Sequence, residues 1–181
     1  MASSILDRRA VLVAVGGAGA SLAASAEEAP SAASLGVSRD NAAIHQEVVF
    51  AASATQVYEL LTQARQFDKV VALSKAMKSM SPASAPCEIN AEAGAAFSLF
   101  GGYITGRQIE LTPNVRIIQA WRSAGWPPHD YSIARFELVG RPDGVRLVFD
   151  HTGFPSASAL SLATGWQGNY WAPMTKVLAS G

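Results

Sequence analysis

Apolar and polar positions change their spacing twice along the chain. From Ile44 to Phe50 they suit a strand ending in Val48-Val49-Phe50. Ser53-Ala54-Thr55-Gln56 then has the form of a capping box, in which the serine oxygen and the glutamine side chain each satisfy a backbone amide left free where a helix starts. Val57, Leu60 and Leu61 follow at i, i+3 and i+4 and predict a short amphipathic helix. A second helix is expected over Gln66 to Lys78, with Phe67, Val70, Val71 and Ser74 on one side. Ser79 to Glu92, interrupted by Pro82 and Pro86, reads as a loop. From Gly94 the period becomes two. Ala95, Phe97 and Leu99 alternate with Ala96, Ser98 and Phe100, and Gly101-Gly102 marks a tight turn. Strands are then expected over Tyr103 to Leu111, Val115 to Trp121, Tyr131 to Val139 and Val145 to His151. Thr112-Pro113-Asn114, Trp126-Pro127-Pro128 and Gly140-Arg141-Pro142-Asp143-Gly144 separate them. Beyond Pro155 the helical period returns. Leu162, Trp166, Tyr170, Met174, Val177 and Leu178 form one stripe, which Pro173 should break or kink. Strands flanked by helices in this order predict an α+β domain with one sheet face covered by the last helix.

The residues before Glu27 differ in kind from the rest. Arg8-Arg9 precedes an Ala/Gly/Val-rich apolar run from Ala10 to Ala24, then Ala24-Ser25-Ala26 and the acidic pair Glu27-Glu28. A basic start, a short apolar run and a small-x-small cleavage site make an export signal over residues 1–26. The run is too short and too rich in glycine for a membrane span. Arg8-Arg9-Ala10-Val11-Leu12 resembles a twin-arginine signal, with Asp7 before the pair and Val11 in place of the more usual Phe as departures. That resemblance implies the twin-arginine export machinery as a partner and a periplasmic or secreted destination. An ordinary secretory signal or an uncleaved anchor are the alternatives. Residues 27–42 suit a flexible linker, and residues 43–181 one folded domain.

Charge excludes some classes of function. The 181 residues carry 14 basic and 14 acidic side chains, and removing residues 1–26 leaves 12 and 13. Nothing in that balance suits a nucleic-acid surface. The chain is 49% hydrophobic and only 15% charged, so it has material for a core and is not disordered. The single cysteine, Cys87, excludes an internal disulfide and a multi-thiolate metal site, and its Pro-rich surroundings suggest an exposed thiol.

The order of elements resembles the helix-grip fold of the START-like superfamily, also called SRPBCC or Bet v 1-like, and within it the Hsp90-ATPase-activator-homologue branch. The residues that carry the likeness are Ala52-Ser53-Ala54-Thr55-Gln56-Val57, Gly94-Ala95-Ala96-Phe97, Gly106 through Glu110 to Pro113, Trp121, His151-Thr152-Gly153-Phe154 and Gly165-Trp166. They span about residues 44–179. A tryptophan common in the family is absent near Phe67-Asp68-Lys69, and Pro173 replaces an ordinary helix former. The resemblance implies a curved antiparallel sheet wrapped around a long C-terminal helix, two short helices after the first strand, and a hydrophobic cavity between sheet and helix. It implies several functions, because relatives include ligand binders, cyclases or dehydratases, and a chaperone activator.

Catalytic signatures are missing: there is no His-Glu-x-x-His, Cys-x-x-Cys, Gly-x-Ser-x-Gly or phosphate-binding Gly-x-x-x-x-Gly-Lys. No catalytic residue, metal or cofactor is assigned. His45, His129 and His151 are far apart in sequence. Alternation puts Val145, Leu147, Phe149 and His151 on one face and Arg146, Val148 and Asp150 on the other, so His151 should lie inward and Asp150 outward. His151 is either a polar anchor at the mouth of the cavity or a histidine bonded to the Thr152-Gly153 turn. Phe97, Leu99, Phe136, Phe149, Trp166 and Tyr170 fall on inward faces, and Trp121 joins them through the resemblance. For Glu110, alternation with Ile109 and Leu111 gives an outward carboxylate, whereas the family motif implies an inward one, which a bulge near Gly106 would reconcile. The leading expectation is an exported, non-catalytic binder of a small apolar or amphipathic molecule. A cyclase- or dehydratase-type enzyme using His151 or Glu110, and a module that binds a protein partner, are the rivals.

Overall fold

The computed structural model describes residues 42–79 and 85–180. The expected leader, with Arg8 and Arg9, lies outside them, as do residues 27–41 of the expected linker and Pro82 of the expected loop. Seven antiparallel strands form one curved sheet: β1 (Ala43–Phe50), β2 (Glu88–Ile89), β3 (Ala96–Leu99), β4 (Ile104–Thr112), β5 (Arg116–Ser123), β6 (Ser132–Arg141) and β7 (Gly144–Thr152). Their spatial order is β1-β7-β6-β5-β4-β3-β2, a meander whose last strand pairs with the first. This is the α+β helix-grip architecture expected from the sequence.

Helix α1 (Ala54–Thr62) begins as its sequence dictates. Ser53 Oγ accepts the Gln56 amide, and the Gln56 side chain accepts the Ser53 N–H in return. The expected second helix is divided into α2 (Ala64–Leu73) and α3 (Lys75–Ser79). Ser74 adopts an extended ψ of 156°, and its hydroxyl accepts the amide of Met77. A buried serine here serves better as the cap of a new turn than as a mid-helix residue. The expected loop also contains a short strand, β2, which pairs with β3. Cys87 just before it is buried, against expectation, and donates its amide to Asp68 Oδ1 at 2.8 Å. Burial, the largest cause, pushes its thiol pKa up to about 12, which leaves a poor nucleophile.

The C-terminal segment also differs from expectation. Helix α4 (Ala159–Trp166) passes through a π-helical turn, Gln167–Trp171, into α5 (Ala172–Ala179) without a break. Ala172 donates to the carbonyl of Gln167, five residues back. Pro173 has no N–H to offer the next carbonyl, so its missing bond falls where the helix is already changing register. The wider turn brings Trp166, Tyr170 and Trp171 inward together, at i, i+4 and i+5, and all three are buried.

On the sheet, burial alternates as expected in β5, β6 and β7. Glycine is required at Gly106, where the ring of its cross-strand partner Phe97 lies against the backbone. A Cβ there would fall 2.1 Å from the Ala120 carbonyl oxygen and 2.4 Å from Phe97 Cζ.

Candidate functional site

The inner face of the sheet and the last helix share an aromatic cluster. Trp166 lies with ring centroids 4.3 Å from Phe149, 4.2 Å from Tyr170 and 5.6 Å from Trp121. It stacks on Trp171 at an interplanar angle of 18°. Trp171 in turn donates to Gln46 Oε1 at 2.5 Å, which ties the helix to β1. Beside this cluster is a cavity of about 510 Å³. Its floor is formed by the buried Phe100, Ile104, Trp121, Ser123, Trp126, Trp166 and Tyr170, and the exposed Tyr103, Gly125 and Ser161 stand at its rim.

Three of the nine residues singled out in the sequence, Trp121, Trp166 and Tyr170, line this cavity. Phe97, Leu99, Phe136 and Phe149 are buried but do not line it, and Phe136 and Phe149 pack against the Trp166 of its wall. His151 is buried as well and does not reach the cavity. Instead it supports Trp166. The Trp166 indole donates to His151 Nδ1 at 3.0 Å, and His151 Nε2 meets Ser132 Oγ at 2.6 Å. An indole N–H can only donate, so Nδ1 must be the acceptor and Nε2 must carry the proton. Ser132 passes the chain on by donating to the Trp121 carbonyl at 3.0 Å. Four polar groups are thus satisfied in a row, from one cavity-lining tryptophan to the backbone of another. Neither sequence role fits His151: it is not at the cavity mouth, and its ring bonds go to Trp166 and Ser132. Burial pushes its pKa down to about 3, which keeps it neutral near pH 7.

Glu110 faces the other way. A bulge does occur in β4, but between Gln108 and Glu110, not near Gly106. Gln108 pairs with the inward Gln119, and after the bulge Glu110 pairs with Ile118 on the outer face. There its carboxylate accepts from Arg116 Nη2 at 2.5 Å and Thr112 Oγ1 at 2.9 Å. The bonds from Arg116 and then Thr112 hold its pKa below the usual carboxylate value. The charges continue across the outer face through Glu137, Arg135 and Asp150 to His45, whose Nδ1 is 2.7 Å from Asp150. Asp150 and His151 therefore stand on opposite faces, as alternation predicts. Among the described residues, no three His, Cys, Asp or Glu side chains converge in a way that could hold a metal ion.

Phe100 and Trp126 are cavity residues that the sequence did not reveal. Phe100 has a φ of +52°, a conformation that costs a non-glycine residue about 1–2 kcal/mol. Its ring is held edge-on to Phe67 at 5.9 Å and tilted against Tyr170 at 5.6 Å. Trp126 packs against Trp121 at 5.5 Å. Its only signal was a tryptophan ahead of two prolines. Two polar atoms of lining residues, Trp121 Nε1 and the Tyr170 hydroxyl, are buried without a hydrogen-bond partner. Burial, the dominant cause, raises the Tyr170 pKa. The nearby Trp121 side chain counters it in part, although the two do not reach hydrogen-bond geometry.

Known proteins agree with this architecture. An HSP90 activator from Plasmodium falciparum superposes with a TM-score of 0.65 at 20% identity, over 76% of this chain and 96% of that one. Protein CV1439 from Chromobacterium violaceum gives 0.59 at 23% identity, over 75% and 96%. In sequence, the mouse activator of 90 kDa heat shock protein ATPase homolog 2 is 28% identical over 133 residues, or 74% of this chain. The match takes in 37% of the mouse protein, so the chain spans little more than a third of that relative's length. Residues 51–179 match the family described as Activator of Hsp90 ATPase homolog 1-like protein, and the chain belongs to that family.

Proposed function

We propose that this chain is an exported binder of a small hydrophobic or amphipathic molecule, held between the sheet and the C-terminal helix. The observation that carries the reading is the cavity of about 510 Å³ with its largely aromatic floor. Its volume falls in the range of sites that bury a small ligand, and its wall combines apolar surface with a few polar groups. Binding rather than turnover is favoured by the state of the two acid/base candidates. His151 has both nitrogens bonded and no access to the cavity, and Glu110 is on the outer face. Acid/base catalysis requires a group within reach of the reacting proton, and neither residue offers one there. Export rests on the Arg8-Arg9 leader.

A second reading, action on an Hsp90-type ATPase, is favoured by the descriptions of the relatives. An exported chain would be separated from such a cytosolic partner. The two readings are distinguished by purifying the protein from its native host and analysing it by mass spectrometry. A stoichiometric apolar compound, displaced by an added apolar dye, is expected. A preparation that holds no compound, binds no dye and retains an Hsp90-type protein would replace the first reading with the second.

A further inference from the structure

We infer that the cavity takes a neutral, flat molecule bearing a hydrogen-bond acceptor oxygen, which the Trp121 indole N–H and the Tyr170 hydroxyl receive together. The inference rests on the proposed binding function and specifies its ligand class. Trp121 is only 3% exposed and Tyr170 only 5%, yet neither polar atom has a partner. Leaving such a group unpaired is unfavourable, a penalty that a bound acceptor removes. An indole N–H donates only, whereas a phenol can donate or accept. The complement common to both is an acceptor such as a ketone, quinone or ester carbonyl. Both residues line the same cavity and pack against the same Trp166 ring, at 5.6 Å and 4.2 Å, so a ligand that enters between their two side chains can meet both. Burial also raises the Tyr170 pKa, which keeps its proton available to donate.

Charge and shape narrow the class further. No lining residue is a Lys, Arg, Asp, Glu or His, so an ionised ligand would enter without a counter-charge. Among the other polar side chains of the wall, Asn169 already uses its carbonyl oxygen to accept the Ala76 amide at 2.8 Å. Phe100, Trp121, Trp126, Trp166 and Tyr170 present rings to the space, which suits the faces and edges of a conjugated body. The third unpartnered group on the inner face, Gln108 Nε2, is not on the cavity wall and has no part in this recognition.

Three probes of one shape test the inference: 2-acetylnaphthalene, 2-isopropylnaphthalene and 2-naphthoate. Each competes against N-phenyl-1-naphthylamine bound to the full chain, to Tyr170→Phe and to Trp121→Phe. Tyr170→Phe removes only an unpartnered hydroxyl, so its melting temperature should equal or exceed that of the parent. Each substitution should weaken the ketone about fivefold, the worth of one hydrogen bond, and leave the hydrocarbon unchanged. The ketone should also bind more tightly than the carboxylate. Equal losses for ketone and hydrocarbon, or no loss for either, would overturn the acceptor role while leaving the cavity a binding site. Tighter binding of the carboxylate would overturn the neutral class. If neither the dye nor any probe binds the parent protein, the binding function itself fails.

Discussion

Replacing His151 by glutamine should flatten the acid side of the stability curve. In the folded chain His151 is buried between two hydrogen-bond partners and its pKa is about 3, against 6.5 for an unperturbed histidine. Protonation would put a second N–H on the ring, facing the Trp166 N–H that Nδ1 now accepts. As pH falls below 6.5 the unfolded chain therefore gains a proton that the folded chain refuses. Stability is lost across the interval from 6.5 down to 3, by about 1.4 kcal/mol per pH unit. Between pH 7 and pH 4.5 this amounts to about 2–3 kcal/mol from one residue. Glutamine offers an acceptor to Trp166 and a donor to Ser132 but does not titrate in this range. It should cost about 1–3 kcal/mol at pH 7 through lost ring packing, then remain level where the parent falls. Urea unfolding followed by tryptophan fluorescence at pH 7.0, 5.5 and 4.5 measures the difference, and the other titrating groups cancel between parent and variant. Parallel losses of stability in the two proteins would refute the buried neutral histidine.

Gly106→Ala should cost at least ~3 kcal/mol, or roughly 6–12 °C in melting temperature, because its methyl meets the Ala120 carbonyl oxygen at 2.1 Å. An unchanged melt would mean that Phe97 does not lie across this strand. Changing Arg8-Arg9 to Lys-Lys should leave unprocessed precursor in the cytoplasm, as seen by immunoblot of cell fractions. Normal periplasmic levels would rule out the twin-arginine route.

The parts of the fold legible in the sequence are those governed by local chemistry. Ser53 and Gln56 cap a helix because the two side chains need only each other and the adjacent backbone. The alternation from Val145 to His151 survives intact because β7 is paired on both sides, with β1 and β6. The misread elements depend on partners distant in sequence or on a break in periodicity. Trp171 departs from a 3.6-residue stripe by one position, and only the π turn ahead of Pro173 brings it inward. Glu110 was ambiguous because one extra residue in a strand exchanges its faces, and composition does not say where that residue falls. Phe100 reads as the outward member of an alternating pair, but a left-handed turn redirects it. Two aromatic residues of the candidate site were hidden for the same reason. Trp121, Trp166 and Tyr170 come from regular elements, whereas Phe100 and Trp126 come from turns.

The placement of β1 beside β7 also sets a schedule for the chain as it is made. Ala43 pairs with Thr152 and Phe50 with Val145, so the first strand finds no partner until about a hundred further residues have left the ribosome. Closing so long a loop is entropically costly and slows folding relative to local contacts. Trp166, Tyr170 and Trp171, which cover the inner face, arrive later still. A growing polypeptide thus keeps an apolar sheet surface open to water until the C-terminal helix has emerged to cover it. A nonsense change between Thr152 and Met174 should yield a sticky, protease-sensitive fragment in place of a smaller working domain.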